Sequence, residues 1–319
     1  MFVILLTLAA LLVAYATGAN ATFKGVASLF GSGTASYRVT LAWAVDTGFA
    51  GSLTAMLLAG EMVKKFSGKG LVPDALISQP SFVLAVALGA AGTVILASWL
   101  GFPVSTTHAL TGALVGTGLT AHAEGMDFSK LWEGFARPLL LSPVLAIAVS
   151  AALYLVLRLL KLAPDHRTRT LDALHFLSAG ATGFSRCLND TPKMAALLLL
   201  AGPLSGSTGM ILIGIAMAIG GWISARRVAE TLAHKITGMN PGEGFCANLA
   251  TSLLVTTASV YALPVSTTHV SVGALLGIGI TTRKARWSTA IPVLLSWVIT
   301  LPCAALLGAI TYQISKQLA

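Results

Sequence analysis

Apolar residues dominate this chain in long, nearly uninterrupted runs separated by short polar or charged connections. The runs fall at about 1–17, 39–60, 80–100, 104–121, 138–160, 172–201, 204–223, 244–262, 267–281 and 287–312. A hydrocarbon core takes about 20 helical residues to cross, so these ten runs predict helices at membrane depth, some too short to span. A spanning β-barrel needs short strands of alternating polarity, whereas these runs are continuously apolar. The first run lacks a basic leading region. Its Ala14-Tyr15-Ala16 resembles a cleavage site, but residues just beyond it belong to a motif described below, so the run reads as a retained first helix.

Composition sharpens this picture. Hydrophobic residues make up 55% of the 319 and charged ones 10%, with mean hydropathy +0.84, against about 25% charged in soluble proteins. A soluble enzyme or nucleic-acid binder is excluded. The net charge of +9 comes from 20 basic residues spread along an apolar chain, which suits membrane loops better than a nucleic-acid patch. Cys187, Cys246 and Cys303 lie in or beside apolar runs without CxxC spacing, as buried thiols do. No GxxxxGK[ST] loop and no zinc or iron ligand set appears, so neither direct ATP drive nor a cofactor is expected.

The chain is a duplication. Pro103-Val104-Ser105-Thr106-Thr107-His108 recurs as Pro264-Val265-Ser266-Thr267-Thr268-His269, 161 residues on. Gly112, Gly116 and Gly118 recur at the same offset as Gly273, Gly277 and Gly279. Upstream, Asn20-Ala21-Thr22-Phe23-Lys24 matches Asn189-Asp190-Thr191-Pro192-Lys193 at Asn, Thr and Lys. Each half therefore reads as a broken helix, intervening spans and a PVSTTH element.

Lys and Arg concentrate on the cytoplasmic side. The central loop 158–172 is +2 (Arg158, Lys161, Arg167 and Arg169 against Asp165 and Asp172), and the loop 281–287 is +3. The counterpart of the latter in the first half, 122–137, is −1 (Lys130 and Arg137 against Glu124, Asp127 and Glu133). Equivalent loops of opposite character predict two inverted transmembrane repeats, 1–160 and 172–319. They are joined by a cytoplasmic loop at 161–171, with both termini outside. The Lys64, Lys65 and Lys69 loop, +1 after Glu61 and Asp74, is the exception. The predicted fold is an all-α polytopic membrane protein in which each repeat carries PVSTTH on a re-entrant helical hairpin.

Inverted repeats with interrupted helices point to a transporter site near the bilayer midplane. Proline can open a helix, since its missing N–H is one of the unpaired four. Ser, Thr and Thr then add hydroxyls beside free backbone N–H groups at the positive helix end, ready to hold an oxyanion. Two such ends facing each other would cradle a tetrahedral anion, and the following glycines would let neighbouring helices approach closely. For a single copy, capping or packing is the simpler reading; duplication favours the cradle. A Ser–His hydrolase would need an orienting third group and one privileged serine, whereas His108 and His269 occur with equal status. Each more simply satisfies a backbone group near the hairpin tip, with a proton relay as the alternative.

Charges inside apolar segments are functional by default. Lys24, Asp46, Arg186, Asp190 and Lys193 sum to +1, which suits a divalent anion and makes a poor cation pathway. Lys24 and Lys193 are candidate substrate contacts, and Asp46 and Asp190 candidate cation ligands. The structural alternatives are an Asp190 pair with Lys193 or Arg186, a Lys24 that snorkels to an interface, and an Asp46 in an ordinary span. Glu243, in Asn240-Pro241-Gly242-Glu243-Gly244, reads as a loop residue.

Both PVSTTH copies, Asn189-Asp190-Thr191-Pro192-Lys193, and the stretch from Gly220-Gly221-Trp222 to Phe245 resemble the PiT-type inorganic phosphate transporter family, which includes sulfate permeases. The resemblance implies two re-entrant hairpins and secondary active phosphate uptake, usually coupled to sodium. It places substrate contacts at Ser105, Thr106, Thr107, Ser266, Thr267 and Thr268, and puts Asn20, Asn189 and Asp190 at the substrate and cation sites. It also implies a multi-pass protein of the cell membrane and makes a homodimer plausible. The chain departs from the family at Ala21, where an aspartate is usual. Alanine offers sodium no oxygen, so the reading is that one cation site is lost and the Lys24 ammonium replaces it. Coupling would then use fewer sodium ions, or protons; a Lys24 turned away beside a drifted Ala21 is the alternative. Phosphate can donate a hydrogen bond to Asp190, while sulfate only accepts, so phosphate leads and sulfate stays open. A passive anion channel, a transport-dead receptor and a membrane hydrolase are the rival functions.

Overall fold

A computed structural model describes residues 2–58, 60–122, 126–162, 166–199, 204 and 206–317. Glu124 and Asp165, counted above as loop charges, lie outside the described residues. Among the described residues ten long helices form, one for each apolar run. They are α1 (Phe2–Ala21), α2 (Tyr37–Leu58), α3 (Pro80–Leu100), α4 (Thr106–His122), α5 (Arg137–Leu159), α6 (Arg169–Ala195), α7 (Ser207–Ser224), α8 (Pro241–Val260), α9 (Thr267–Thr281) and α10 (Trp287–Gln317). Among the described residues there is no β-strand beyond two isolated bridges.

Among the described residues, six helical stretches are long and apolar enough to cross a membrane: Val3–Gly25, Tyr37–Leu58, Pro80–Leu100, Phe128–Leu159, Ser207–Ser224 and Trp287–Gln317. The protein is a multi-pass membrane protein. Its outer surface is apolar, with Leu140, Val144, Val298, Ile299 and Leu306 among the exposed residues. The more polar α6 runs through the interior, where Ser185, Arg186, Asn189, Asp190 and Lys193 are all buried. That inversion of a soluble protein's pattern follows from the solvent, because lipid cannot satisfy buried polar groups and the chain must do so itself.

Local sequence sets the helix ends. Pro80 opens α3, and Gly101, at φ +80°, closes it in the left-handed conformation that glycine adopts freely. Asn240 and Glu243 form a reciprocal capping box at the start of α8. Glu243 is therefore helical and buried, paired with Lys284 at 2.7 Å, rather than a loop residue.

The broken helices differ between halves. α1 ends at Ala21 and tightens into a 3₁₀ turn over Thr22–Gly25, whereas α6 continues through Asn189–Lys193, with Pro192 inside, and tightens only at Ala196–Leu198. Packing interlocks the halves: α1 lies on α7, α6 on α2, α4 on α10 and α9 on α5. The expected glycine contacts are present. A Cβ on Gly116 would stand 2.1 Å from the Ala305 carbonyl oxygen, and one on Gly277 2.4 Å from that of Ile147.

Candidate functional site

The two PVSTTH segments meet at the centre. Residues 102–105 and 263–266 are non-helical, and α4 and α9 begin at Thr106 and Thr267. The prolines therefore stand outside the helices rather than in their first turn. Serine does the opening: the Ser105 and Ser266 oxygens accept from the His108 and His269 amides at 3.1 Å each. Each serine oxygen is thus a helix cap.

The tips cross-link reciprocally. Thr268 donates to the Val104 carbonyl (2.7 Å) and Thr107 to the Val265 carbonyl (3.2 Å). An asparagine–serine pair lies in each half. Asn20 donates to Ser98 (3.0 Å) and to the Phe102 carbonyl (2.9 Å), and accepts from the Val104 amide (3.0 Å). Asn189 donates to Ser259 at 3.0 Å. Ser98 and Ser259 were not singled out in the sequence, yet they obey the 161-residue offset; applying that offset to every polar residue would have found them.

Both lysines reach the crossing, so Lys24 does not snorkel outward. Its ammonium donates to the Val104 carbonyl at 2.8 Å. Lys193 has four oxygen partners: Asn189 Oδ1 (2.5 Å), Asp190 Oδ1 (2.9 Å), Thr107 Oγ1 (2.9 Å) and the Val265 carbonyl (3.1 Å). Asp190 also accepts from Thr267 at 3.3 Å. In the first half Ala21 supplies no carboxylate, and the buried Thr106 hydroxyl has no partner among the described residues. Arg186, on α6 one turn before Asp190, is buried with Nε and Nη1 unpartnered.

His108 Nδ1 meets the Trp297 carbonyl (3.1 Å) and His269 Nδ1 that of Leu139 (3.0 Å). Both satisfy backbone groups, on α10 and α5 rather than at the hairpin tips. Their rings touch edge to face, with centroids 4.5 Å apart. Asp46 is not brought in: it sits exposed on α2, away from the crossing. The surface position of its helix face, not its polarity, decides this.

Among the described residues, two cavities with charged residues in their lining approach the buried centre. One, about 310 Å³, includes Phe66, Lys69 and Asp74 in its lining, and the Lys193 ammonium lies 5.7 Å from the Phe66 ring centroid. The other, about 360 Å³, is lined by Tyr15, Ser98, Arg226 and Arg227 and reaches the serine that holds Asn20. The centre itself is closed, with Asn20 and Asn189 at 0% exposure.

Comparison with known proteins follows this geometry. Residues 17–308 match the model of the phosphate transporter family. The chain is 32% identical to a "Probable low-affinity inorganic phosphate transporter" of Rhizobium meliloti (strain 1021), covering 81% of each protein. It is 29% identical to a protein of the same description from Bacillus subtilis (strain 168), over 99% of this chain and 97% of that one. A solved structure described as the sodium-dependent phosphate transporter shares the fold, with TM-score 0.88 at 20% identity and full coverage of both chains.

Proposed function

The chain belongs to the phosphate transporter family, and on that premise we propose that it takes up inorganic phosphate by cation symport with alternating access. It is a transporter, not an enzyme. The observation that carries the reading is the crossing itself, where two capped helix starts, two lysines and an unpartnered threonine converge in a buried centre between two cavities. Helix N-termini and ammonium groups suit a tetrahedral anion. A centre closed on both sides suits a carrier better than a continuous pore.

Inverted repeats accord with the two helix paths. α4 leaves the crossing toward the end where the Asp127 amide meets the Leu71 carbonyl, and α9 toward the end where the Arg286 amide meets that of Ile236. The second end gathers Arg38, Arg158, Lys161, Arg167, Arg169, Arg226, Arg227, Lys235, Arg283, Lys284 and Arg286. The first has Lys64, Lys65, Lys69, Lys130, Arg137 and Lys316. The positive-inside rule then puts the richer end in the cytoplasm and both chain termini outside the cell membrane. A homodimer that covers Asp46 is part of this proposal, checked by mass in lipid nanodiscs.

Substrate contacts are assigned to Thr106, Thr107, Thr267, Thr268, Ser105 and Ser266, with Asn20 steadying the first tip and Asn189 holding Lys193. Lys24 supplies a fixed positive charge where Ala21 has removed a cation ligand. A second reading, sulfate, gains from one observation: Asp190 already accepts from Lys193 and Thr267, which leaves its carboxylate fewer lone pairs for a phosphate hydrogen bond.

Uptake of labelled phosphate into proteoliposomes, with sodium and proton gradients imposed separately, tests the proposal. Saturable, gradient-driven uptake is expected. Gradient-independent flux would replace the carrier with a channel, and sulfate outcompeting phosphate would replace the substrate. Undiminished uptake by Lys24→Ala with unchanged ion dependence would remove Lys24 from the site.

A further inference from the structure

Charge balance at the crossing differs from the sum the sequence suggests. Asp46 is exposed on α2, and the buried Glu243 is paired with Lys284 far along the chain. What remains in the centre is three buried cations, Lys24, Arg186 and Lys193, against one buried carboxylate, Asp190. The net is +2. Asp190, Arg186 and Lys193 all act electrostatically on the Lys24 ammonium, so the four groups form one cluster.

The three cations are not equivalent. Lys193 is saturated: a carboxylate, an amide oxygen, a hydroxyl and a backbone carbonyl surround its three N–H bonds. Such an all-oxygen set is what a hard metal cation would take, and here the chain's own ammonium fills it. The first half offers no comparable oxygen set, because Ala21 removes the carboxylate and the Asn20 oxygen has one of its two lone pairs on the Val104 amide. Sodium therefore does not fit either half.

Lys24 and Arg186 are in the opposite condition. Lys24 has one acceptor, the Val104 carbonyl, and two N–H bonds to spare. Arg186 has Nε and Nη1 without partners at 3% exposure. Buried charges without counterions are strongly unfavourable, so this arrangement calls for an anion with several acceptor oxygens.

We propose that this chain binds its oxyanion as a dianion without any metal cation, Lys193 permanently filling the second-half oxygen cage while Lys24, Arg186 and the Thr106 hydroxyl hold the substrate. The inference rests on the phosphate-transport reading and deepens it, by removing sodium from that site and adding Arg186 to it.

The test is equilibrium binding of labelled phosphate to the purified full-length protein, with uptake in parallel, in sodium chloride and in choline chloride at equal ionic strength. Affinity and uptake are expected to agree within twofold between the salts. A fivefold or greater loss in choline overturns the inference and leaves phosphate transport intact. Failure to bind phosphate or sulfate in either salt overturns the transport reading, and this inference with it. Arg186→Gln should weaken phosphate binding tenfold or more, and Arg186→Lys should restore part of it. Unchanged affinity in a folded Arg186→Gln protein removes Arg186 from the site. The wild-type salt comparison needs no variant, so a misfolded variant does not shield the proposal.

Discussion

Around Lys193, four oxygens of three different elements converge, while its counterpart Lys24 has a single carbonyl. The backbone frame about them is nearly the same. Each lysine donates to the valine carbonyl of a PVSTTH tip, each tip accepts from a threonine of the other, and each asparagine holds a serine 161 residues from its counterpart. The halves thus share a scaffold and divide the charge. Lys24 has no carboxylate beside it where Ala21 stands, while Lys193 is paired with Asp190, and the second half carries its own unpaired cation in Arg186. Duplication alone would build two equal halves; the carboxylate missing at Ala21 leaves Lys24 without the partner that Lys193 has in Asp190.

The comparison breaks most visibly at Lys193. Lys193→Ala leaves Asp190 buried and unpaired, which costs about 3–5 kcal/mol. Thermal unfolding in detergent should fall sharply, whereas Lys24→Ala should stay near wild-type stability and lose uptake. The reverse ranking would refute the division of roles. Next come the cross-linking threonines. Thr107→Val removes partners from both Lys193 and Val265 and should cost about 2 kcal/mol, while Thr268→Val loses one neutral hydrogen bond and should cost about 1 kcal/mol. Denaturant titration of the two variants would sharpen or erase the difference.

Ala21→Asp restores the missing carboxylate. It should occupy the spare N–H bonds of Lys24 and weaken phosphate binding about tenfold, or about 1.4 kcal/mol; equal or tighter binding by titration calorimetry would place Lys24 away from the anion. The smallest effects fall on the symmetric frame. Ser98→Ala and Ser259→Ala should each cost about 1 kcal/mol and match each other. A clear inequality in their melting temperatures would show that the frame is not shared.

Much of this was legible in the chain. The ten apolar runs became the ten long helices, and the doubled PVSTTH located the crossing because a repeat leaves a fixed offset that any composition makes visible. The glycines packed as expected, since small residues four apart lie on one helix face. Less legible were the prolines, which lie outside the helices because serine caps them. The unequal breaks in α1 and α6 were equally hidden. Asp46 was misjudged because an exposed and a buried position on one helix differ only in what packs beside them.

By itself the sequence determined membrane residence, the helices, the duplication, and the placing of Lys24, Arg186, Asp190 and Lys193 inside apolar segments. Hydrophobic length and repeated motifs are properties of the chain in order, and lipid leaves few other ways to satisfy its backbone. Only the tertiary structure decided which cations are satisfied. Lys24 and Lys193 each sit four residues after an asparagine, yet both also donate to Val104, Thr107 or Val265, more than 70 residues away. Such interactions depend on distance through space, set by how α1, α4, α6 and α9 pack, and no spacing along the chain encodes them.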